Sequence, residues 1–366
     1  MGFNCGIVGL PNVGKSTLFN ALTKTAAADA ANYPFCTIEP NTGRVAVPDP
    51  RLKQIAELAK SAEAIPTFLE FVDIAGLVRG AANGEGLGNQ FLANIREVDA
   101  IIHVLRCFED SDITHVENSI DPIRDAATVE TELMLADMDS LERRMAALTK
   151  KTRGGDKQAA ADLELMEKLL AGLSDGRLAR AVSGLTDAET LRLPQLQLLT
   201  AKPVLYACNV AEEDSATGNW LSTKVAEKAA KEGAAYVIMS AAIESEIATL
   251  SDEEAAEFIS DLGLEEPGLN RLIRAGYNLL DLLTFFTAGP KEARAWTVRK
   301  PATAPMAAGV IHTDFQRGFI RAETVSFDDY IVCQGEAGAK DAGKLRIEGA
   351  DYPVKDGDIF HFRFNV

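Results

Sequence analysis

The sequence predicts an α/β protein with three parts: a parallel sheet with helices on both faces, an inserted antiparallel helical hairpin, and a C-terminal α+β domain. Apolar runs that end in polar motifs lie at residues 5–8, 68–72, 101–105, 203–208 and 236–239, as in sheets that bind ligands at the carboxyl ends of their strands. Residues 128–199 carry leucine and methionine at helical spacing. Beyond residue 283, short β-rich runs alternate with Gly, Pro and Asp-Gly turns.

These patterns set the expected domain boundaries. We expect residues 1–130 together with 200–282 to form the sheet domain, residues 131–199 to form the inserted helical, coiled-coil-like hairpin, and residues 283–366 to form the C-terminal domain. A Gly154-Gly155 turn separates the two helices of the hairpin. In the C-terminal domain, the runs at 295–298, 312–315, 319–322, 330–332 and 359–364 predict strands.

Composition limits the classes of protein that need to be considered. With 366 residues and 47% hydrophobic residues, the chain can bury a large core, which excludes wholesale disorder. Its five scattered cysteines form no C-x-x-C pair, which argues against a zinc site and favours a reducing compartment. No run of about 18 apolar residues is present, so no membrane span is expected. We expect a cytoplasmic protein.

Charge is unevenly distributed. The net charge of −17 is concentrated in residues 1–130 and 200–282, whereas the other two regions are close to neutral. Around the hairpin turn, a basic cluster has a single acidic residue, Asp156, in its midst; it consists of Arg143, Arg144, Lys150, Lys151, Arg153 and Lys157. Such a cluster either meets a polyanion or is a solvated turn, and the sequence leaves both interpretations open.

The most specific motif is GLPNVGKS at residues 9–16, which fits G-x-x-x-x-G-K-[ST] between an apolar strand and a helical stretch. Glycines at the turns allow bare backbone N–H groups to surround phosphates. Lys15 supplies a cation for the β- and γ-phosphates, and the Ser16 hydroxyl is placed to ligate Mg²⁺ at the positive end of the helix. The sheet domain is therefore predicted to be a P-loop NTPase domain.

A second motif, DIAG, follows the second predicted strand. Asp73 would hold Mg²⁺ through its water shell, and the Gly76 amide would bond the γ-phosphate. Thr37 lies in the loop between the two motifs, where a switch hydroxyl would complete the Mg²⁺ shell; an ordinary loop threonine is the alternative. Leu77 stands where Ras-type sites carry the glutamine that orients the attacking water. His115 could reach the site, although a surface histidine without a role is the simpler interpretation.

Base recognition is predicted at NVAE, residues 209–212, where GTPases carry N-K-x-D. Val210 lacks the lysine stem that covers guanine, and Glu212 is one methylene longer than aspartate, so its carboxylate would overshoot the guanine edge. Asn209 keeps a carboxamide, a group that pairs bidentately with adenine N6 and N7. We therefore expect ATP to be preferred over GTP, because mispairing leaves buried polar groups unsatisfied at about 1–3 kcal/mol each.

Together, GLPNVGKS, the PFCTIEP loop at residues 34–40, DIAGLVRGAANGEGLGNQFL and NVAE resemble the Obg-like ATPase YchF family. That family belongs to the translation-factor-related P-loop proteins that carry a hydrophobic residue in place of the catalytic glutamine. The resemblance covers essentially the whole chain. It implies that the C-terminal domain is a TGS module with a β-grasp fold, as in threonyl-tRNA synthetase.

The resemblance also implies ATPase activity with weak GTPase activity, and association with the ribosome, with ATP and ADP as ligands. It implies contact with the large subunit, and with rRNA or tRNA through the hairpin tip and the TGS domain. It implies Mg²⁺ at Ser16 and Thr37, adenine against the Val210 backbone, and potassium-stimulated hydrolysis supported by Asn12. The phosphates would be bound by the P-loop residues Asn12, Val13, Gly14, Lys15, Ser16 and Thr17.

Three functions remain open at this stage. The first is an ATPase whose hydrolysis resets a switch for a ribosomal partner, with Lys15 neutralising the developing charge. The second is a nucleotide-sensing module in which hydrolysis is incidental, as Leu77 suggests. The third is a GTPase, since Asn209 and the Ser-Ala-Ala sequence at Ser240 suit either base.

Overall fold

The computed structural model describes residues 3–32, 41–74, 87–110 and 119–365. Within these ranges the strands are β1 (Asn4–Val8), β2 (Thr42–Ala46), β3 (Glu63–Ile65), β4 (Phe68–Asp73), β5 (Ala100–Arg106), β6 (Val204–Asn209), β7 (Ala235–Met239), β8 (Leu282–Ala288), β9 (Glu292–Arg299), β10 (Phe319–Ser326), β11 (Arg346–Glu348) and β12 (Asp358–Phe364).

The helices of the same ranges are α1 (Lys15–Asn32), α2 (Pro50–Ala59), α3 (Leu87–Glu97), α4 (Pro122–Thr152), α5 (Lys157–Ser174), α6 (Asp187–Arg192), α7 (Trp220–Glu232), α8 (Ala241–Ile247), α9 (Asp252–Asp261), α10 (Gly268–Leu279), α11 (Ala304–Ile311), α12 (Thr313–Arg317), α13 (Phe327–Val332) and α14 (Glu336–Asp341).

The first sheet has the strand order β2-β4-β1-β5-β6-β7. All pairings are parallel except that of the edge strand β2, which runs antiparallel to β4. Strands β5 and β6 are buried at every position, as expected for central strands covered on both faces. The α/β fold class predicted from the five apolar runs is confirmed, and β2 is an edge strand that the sequence did not predict.

The inserted hairpin is built on α4, which begins at Pro122, earlier than expected, and runs for 31 residues. Asp156 caps α5 by accepting hydrogen bonds from the N–H groups of Gln158 (2.9 Å) and Ala159 (3.1 Å). The two helices share an apolar cluster that includes Leu141, Leu165 and Leu169.

The chain beyond α5 is less helical than the sequence predicted. Residues 175–199 form α6 and short 3₁₀ turns, because Gly176 and Gly184 adopt positive φ and Pro194 cannot continue a helix. This segment returns to α4 at Asp137. The buried Asp137 carboxylate accepts from the N–H groups of Leu199 (2.8 Å) and Thr200 (2.8 Å), which ties the middle of α4 to the entry into β6.

The second sheet has the strand order β11-β10-β12-β8-β9-β3. Two runs expected to be strands in this region are helical. The run at 312–315 overlaps α12, which His312 caps through Nδ1 by accepting from the Asp314 N–H at 3.2 Å. The run at 330–332 lies in α13, where the Ser326 hydroxyl accepts from the Asp329 N–H at 3.2 Å. Local capping outweighed the β propensity expected of both runs.

One segment of the expected sheet domain joins the second sheet. Between β2 and β4, the chain forms α2 and β3. Strand β3 pairs in parallel with β9, and Leu52 and Ile55 of α2 enter the apolar cluster of the second sheet. Arg51 at the start of α2 forms an ion pair with Asp356 at 2.6 Å. Residues 50–65 therefore pack with the C-terminal region, although the sequence assigned them to the P-loop domain.

Candidate nucleotide-binding site

The loop between β1 and α1 has two residues with left-handed backbone conformation, Asn12 (φ 62°) and Gly14 (φ 91°). A Cβ at Gly14 would overlap the side-chain amide of Asn209, so a larger residue does not fit there. Helix α1 starts immediately after this turn, with its first hydrogen bond from the Leu18 N–H to the Gly14 carbonyl at 2.9 Å. The N-terminal amides of α1 therefore lie at the carboxyl end of β1, an arrangement that binds anions.

Lys15 and Asp73, 58 positions apart in the chain, form a direct ion pair. Asp73 ends β4, next to β1 in the sheet, so both motifs reach the same edge. Ser16 and Thr17 are exposed at the start of α1. Val13 is 1% exposed and its side chain packs in the core.

Asn209 braces two loops against each other. Its Nδ2 donates to the Val13 carbonyl (2.9 Å) and its Oδ1 accepts from the Ala241 N–H (2.9 Å), and the residue is buried. Each polar atom of this carboxamide thus has one backbone partner, so a bidentate pair with adenine would have to use its second N–H and its second lone pair. Val210 follows with its side chain buried and its N–H donated to the Met239 carbonyl at 2.9 Å. A backbone contact from Val210 to a base would run through its carbonyl.

Another wall consists of residues 108–110, which follow β5, and Arg106 holds it in place. The Arg106 guanidinium donates to the carbonyls of Phe108 (3.2 Å) and Asp110 (3.2 Å). Burial lowers the pKa of Arg106, and the nearby carboxylates of Asp110 and Asp125 oppose that shift. From the sequence, Arg106 was expected at a strand end, but neither it nor Phe108 was given a role. The feature that could have identified Arg106 is a charged residue directly after an apolar run.

These walls enclose a cavity of about 900 Å³, within the size range of small-molecule and cofactor sites. It is lined by the P-loop and by residues 108–110, 209–213 and 240–242. The predicted residues that line it are Asn12, Gly14, Lys15, Ser16, Thr17, Asn209 and Val210. Thr37, Gly76, Leu77 and His115 lie outside the described residues.

His103 is a buried histidine within β5. Burial is the largest cause that lowers its pKa to about 3, and the positive charges of Lys228 and Arg180 act in the same direction. Its imidazole is therefore neutral near pH 7 and lies in the core, with its ring centroid 5.9 Å from that of Tyr206. It is not part of the cavity lining described above.

The hairpin tip is on the surface. Lys150, Lys151 and Arg153 are exposed around the turn. Two other members of the basic cluster have protein partners: Arg143 pairs with Asp139 at 2.6 Å, and Arg144 donates to the Leu196 carbonyl at 2.7 Å. Among the described helices, none combines the length and apolarity needed to cross a bilayer.

A parallel sheet with a phosphate-binding loop at the end of β1, an acid at the end of β4 and a cavity beyond β6 defines a P-loop nucleotide-binding protein. Two family models match in the corresponding places. A model described as 50S ribosome-binding GTPase matches residues 4–137. A model for the C-terminal domain of YchF-GTPase, described as a protein of unknown function, matches residues 282–365.

Individual relatives match over the full length. The chain is 62% identical to the Ribosome-binding ATPase YchF of Haemophilus influenzae and 52% identical to that of Bacillus subtilis, in each case over 100% of both chains. The solved structure of the Schizosaccharomyces pombe YchF GTPase matches with a TM-score of 0.89 at 38% identity, over 99% of this chain and 98% of that one. The chain belongs to the YchF family, which confirms the resemblance stated above.

Proposed function

We propose that this chain is an ATP-binding and ATP-hydrolysing P-loop switch protein that associates with the ribosome and acts in the cytoplasm on translation or the stress response. The observation that carries the nucleotide part is the cavity between the P-loop and residues 209–213, where Lys15, Ser16 and the start of α1 suit a triphosphate. The curated bacterial relatives are named ribosome-binding ATPases, which supports both parts of the proposal.

The base is adenine in this proposal. Guanine recognition needs an acceptor for N1–H and N2–H₂, and the chain offers Glu212, which is longer than the aspartate of GTPases and exposed at the start of a 3₁₀ turn. Val210 provides an apolar surface in place of a lysine stem. Since the Asn209 carboxamide is engaged by the backbone, the purine is selected by shape and by backbone groups around Val210. Guanine fits this surface less well, so we expect only a weak GTPase activity.

Magnesium suits this donor set, because the Ser16 hydroxyl and the Asp73 carboxylate are hard oxygen ligands beside a phosphate-binding helix end. We assign Ser16 as a direct ligand, Asp73 as a ligand through water, and Thr37 as the expected third contributor. Bound there, Mg²⁺ would neutralise charge on the β- and γ-phosphates. Lys15 would leave its ion pair with Asp73 and stabilise the charge that develops on the phosphoryl oxygens.

Two further residues complete the proposed site. The Gly76 amide is the proposed γ-phosphate contact, and His115 is a proposed auxiliary group.

Asn12 carries the potassium part of the proposal. It lines the cavity in a left-handed conformation at the tip of the loop, where its carboxamide oxygen would help to hold a monovalent cation near the phosphates. Replacing potassium by sodium in the assay is expected to slow hydrolysis in the wild-type protein. In an Asn12→Ala variant, the two salts are expected to give the same rate.

Side-by-side titration of labelled ATP and GTP tests the nucleotide assignment, and steady-state hydrolysis tests the enzyme. We expect tighter binding of ATP, and a turnover lost in Lys15→Ala. Lys24→Ala, at an exposed position later in α1, is the matched control and is expected to hydrolyse normally. Tighter binding of GTP would overturn the choice of base, and unchanged turnover in Lys15→Ala would overturn the site.

The ribosome contact is proposed at the large subunit, through the hairpin tip and the C-terminal TGS domain, with rRNA or tRNA as the polyanion. We expect co-sedimentation with ribosomes to weaken as salt rises, because phosphate contacts release counterions. Reversing Lys150, Lys151 and Arg153 to Glu is expected to flatten that salt dependence by about one unit of slope per lost contact. The matched control reverses three exposed lysines on other helices, namely Lys24, Lys53 and Lys231.

A further inference from the structure

Arg106 is a buried cation that the proposed chemistry does not use. It is 1% exposed and is the largest of the fully buried side chains in the described residues. It ends β5, in register with Asn209 at the end of β6. Arg106 is not among the residues that line the cavity, yet Asn209 and residues 108–110, which follow it in the chain, are.

The described contacts of Arg106 converge on the wall of that cavity. Its Nε donates to the Phe108 carbonyl and its Nη2 donates to the Asp110 carbonyl, both at 3.2 Å. Its guanidinium carbon also lies 4.6 Å from the centroid of the Phe108 ring. Since Phe108, Glu109 and Asp110 all line the cavity, one side chain holds both the backbone and the aromatic ring of this wall.

The geometry suits a planar guanidinium better than an ammonium. A guanidinium can donate to two carbonyls and lie over an aromatic ring at the same time, whereas an ammonium is a point charge. The cation covers one face of the Phe108 ring, and Phe108 is also among the residues that line the cavity. The residue that precedes this wall is also held in place, because the Cys107 N–H donates to the Asn209 carbonyl at 2.8 Å.

We propose that Arg106 is a positioning residue for the purine base: it holds the Phe108 ring and residues 109–110 as a preformed surface against which the base packs. This inference rests on the proposed nucleotide function. Arg106 acts through Phe108 and does not touch the nucleotide. It therefore sets the affinity for the base end of the ligand and leaves the phosphate end and the chemical step unchanged.

The test compares Arg106→Gln and Arg106→Lys with wild type, using ATP and inorganic tripolyphosphate as ligands. Arg106→Gln is expected to raise KM for ATP about tenfold through loss of the ordered stacking surface. Its kcat is expected to stay within about twofold of wild type, and tripolyphosphate affinity is expected to be unchanged. Arg106→Lys is expected to give a smaller rise in KM. Arg294→Gln, which removes a guanidinium 4.9 Å from the Trp296 ring in the second sheet, is the matched control.

A double-mutant cycle with Phe108→Leu separates positioning from a general structural role. Because Arg106 acts through Phe108, adding Arg106→Gln or Arg106→Lys to Phe108→Leu is expected to raise KM no further than about twofold. Independent, multiplicative effects would overturn the inference, as would equal losses of ATP and tripolyphosphate affinity. If Arg106→Gln does not fold, as judged by thermal unfolding, the Arg106→Lys cycle decides.

The two proposals fail in different ways. If wild-type protein bound tripolyphosphate and ATP with equal affinity, no base surface would operate and the Arg106 role would be refuted. If wild type bound neither ligand, the proposed function itself would fall, and this inference with it. If wild type preferred ATP and Arg106→Gln matched it in KM, the Arg106 inference alone would be refuted.

Discussion

His103 makes the stability of the first sheet sensitive to pH. It is 2% exposed on β5, its ring centroid lies 5.9 Å from that of Tyr206, and its Nε2 has no hydrogen-bond partner within the described part of the chain. Its pKa in the fold is about 3, against an ordinary 6.5. Between these two values the unfolded chain binds a proton that the folded chain does not, so stability rises with pH through this window and is lost as the pH falls below 6.5.

The magnitude follows from the width of the window. At pH 5, about 1.5 units below the unfolded pKa, protonation of the unfolded chain costs about 2 kcal/mol of folding free energy relative to pH 7.5. Lys228 and Arg180 face this histidine and lower its pKa, whereas Glu232 raises it. Although burial acts to raise the pKa of Glu232, hydrogen bonds from Lys228 and Tyr206 hold it below its ordinary value, so the comparison is confined to pH 5 and above.

Urea unfolding at pH 5, 6 and 7.5, followed by circular dichroism, measures this contribution. Replacing His103 by Leu removes both the titrating group and the unpartnered nitrogen. We expect the loss of stability between pH 7.5 and 5 to shrink by about 2 kcal/mol in His103→Leu. His361→Gln, at an exposed histidine of β12, is the matched control. The reasoning is refuted if His103→Leu keeps the wild-type difference between the two pH values.

Three further predictions concern single contacts. Asp137→Ala leaves the buried N–H groups of Leu199 and Thr200 without their acceptor and is expected to lower the free energy of unfolding by roughly 3 kcal/mol in urea; a loss below about 1 kcal/mol would contradict this. Asn209→Ala removes the brace between the P-loop and the loop at residue 241 and is expected to weaken ATP binding about tenfold, measured by calorimetry, whereas unchanged affinity would show that the brace is dispensable. Ser326→Ala removes the cap of α13 and is expected to cost about 1 kcal/mol, so full thermal stability in this variant would argue against the cap.

Much of the first sheet could be predicted from the sequence, because its parallel strands are mostly apolar runs that end where a motif begins. The P-loop was equally predictable, since its glycine and lysine spacing has few other uses. Helices α12 and α13 were not predicted, because their sequences suggested strands. The capping hydrogen bonds at His312 and Ser326 favour a helix there instead. The capping sequence at Ser326 and Asp329 was nevertheless present in the chain and would have predicted a helix start.

The site was predicted in its residues more than in its contacts. The sequence predicts Asn209 near the base. Its carboxamide has two backbone partners that are remote in sequence, and no local sequence pattern predicts them. The same holds for Arg106, whose role depends on where residues 108–110 turn after β5. Pairing between segments far apart in the chain also explains why the assignment of β3 to the second sheet was missed.

Strand β3 and helix α2 have a practical consequence for recombinant chimeras. A fragment that starts at Leu282 would lack the neighbour of β9 and the side chains of Leu52 and Ile55, so it would present a bare sheet edge and an uncovered apolar surface. Exchanging the C-terminal portion between two orthologues therefore requires the residues at 50–65 to be transplanted along with it. The packing unit is therefore discontinuous in the chain. Residues 50–65 and the region from Leu282 onward form it together, and substitutions in one segment are expected to be matched by substitutions in the other.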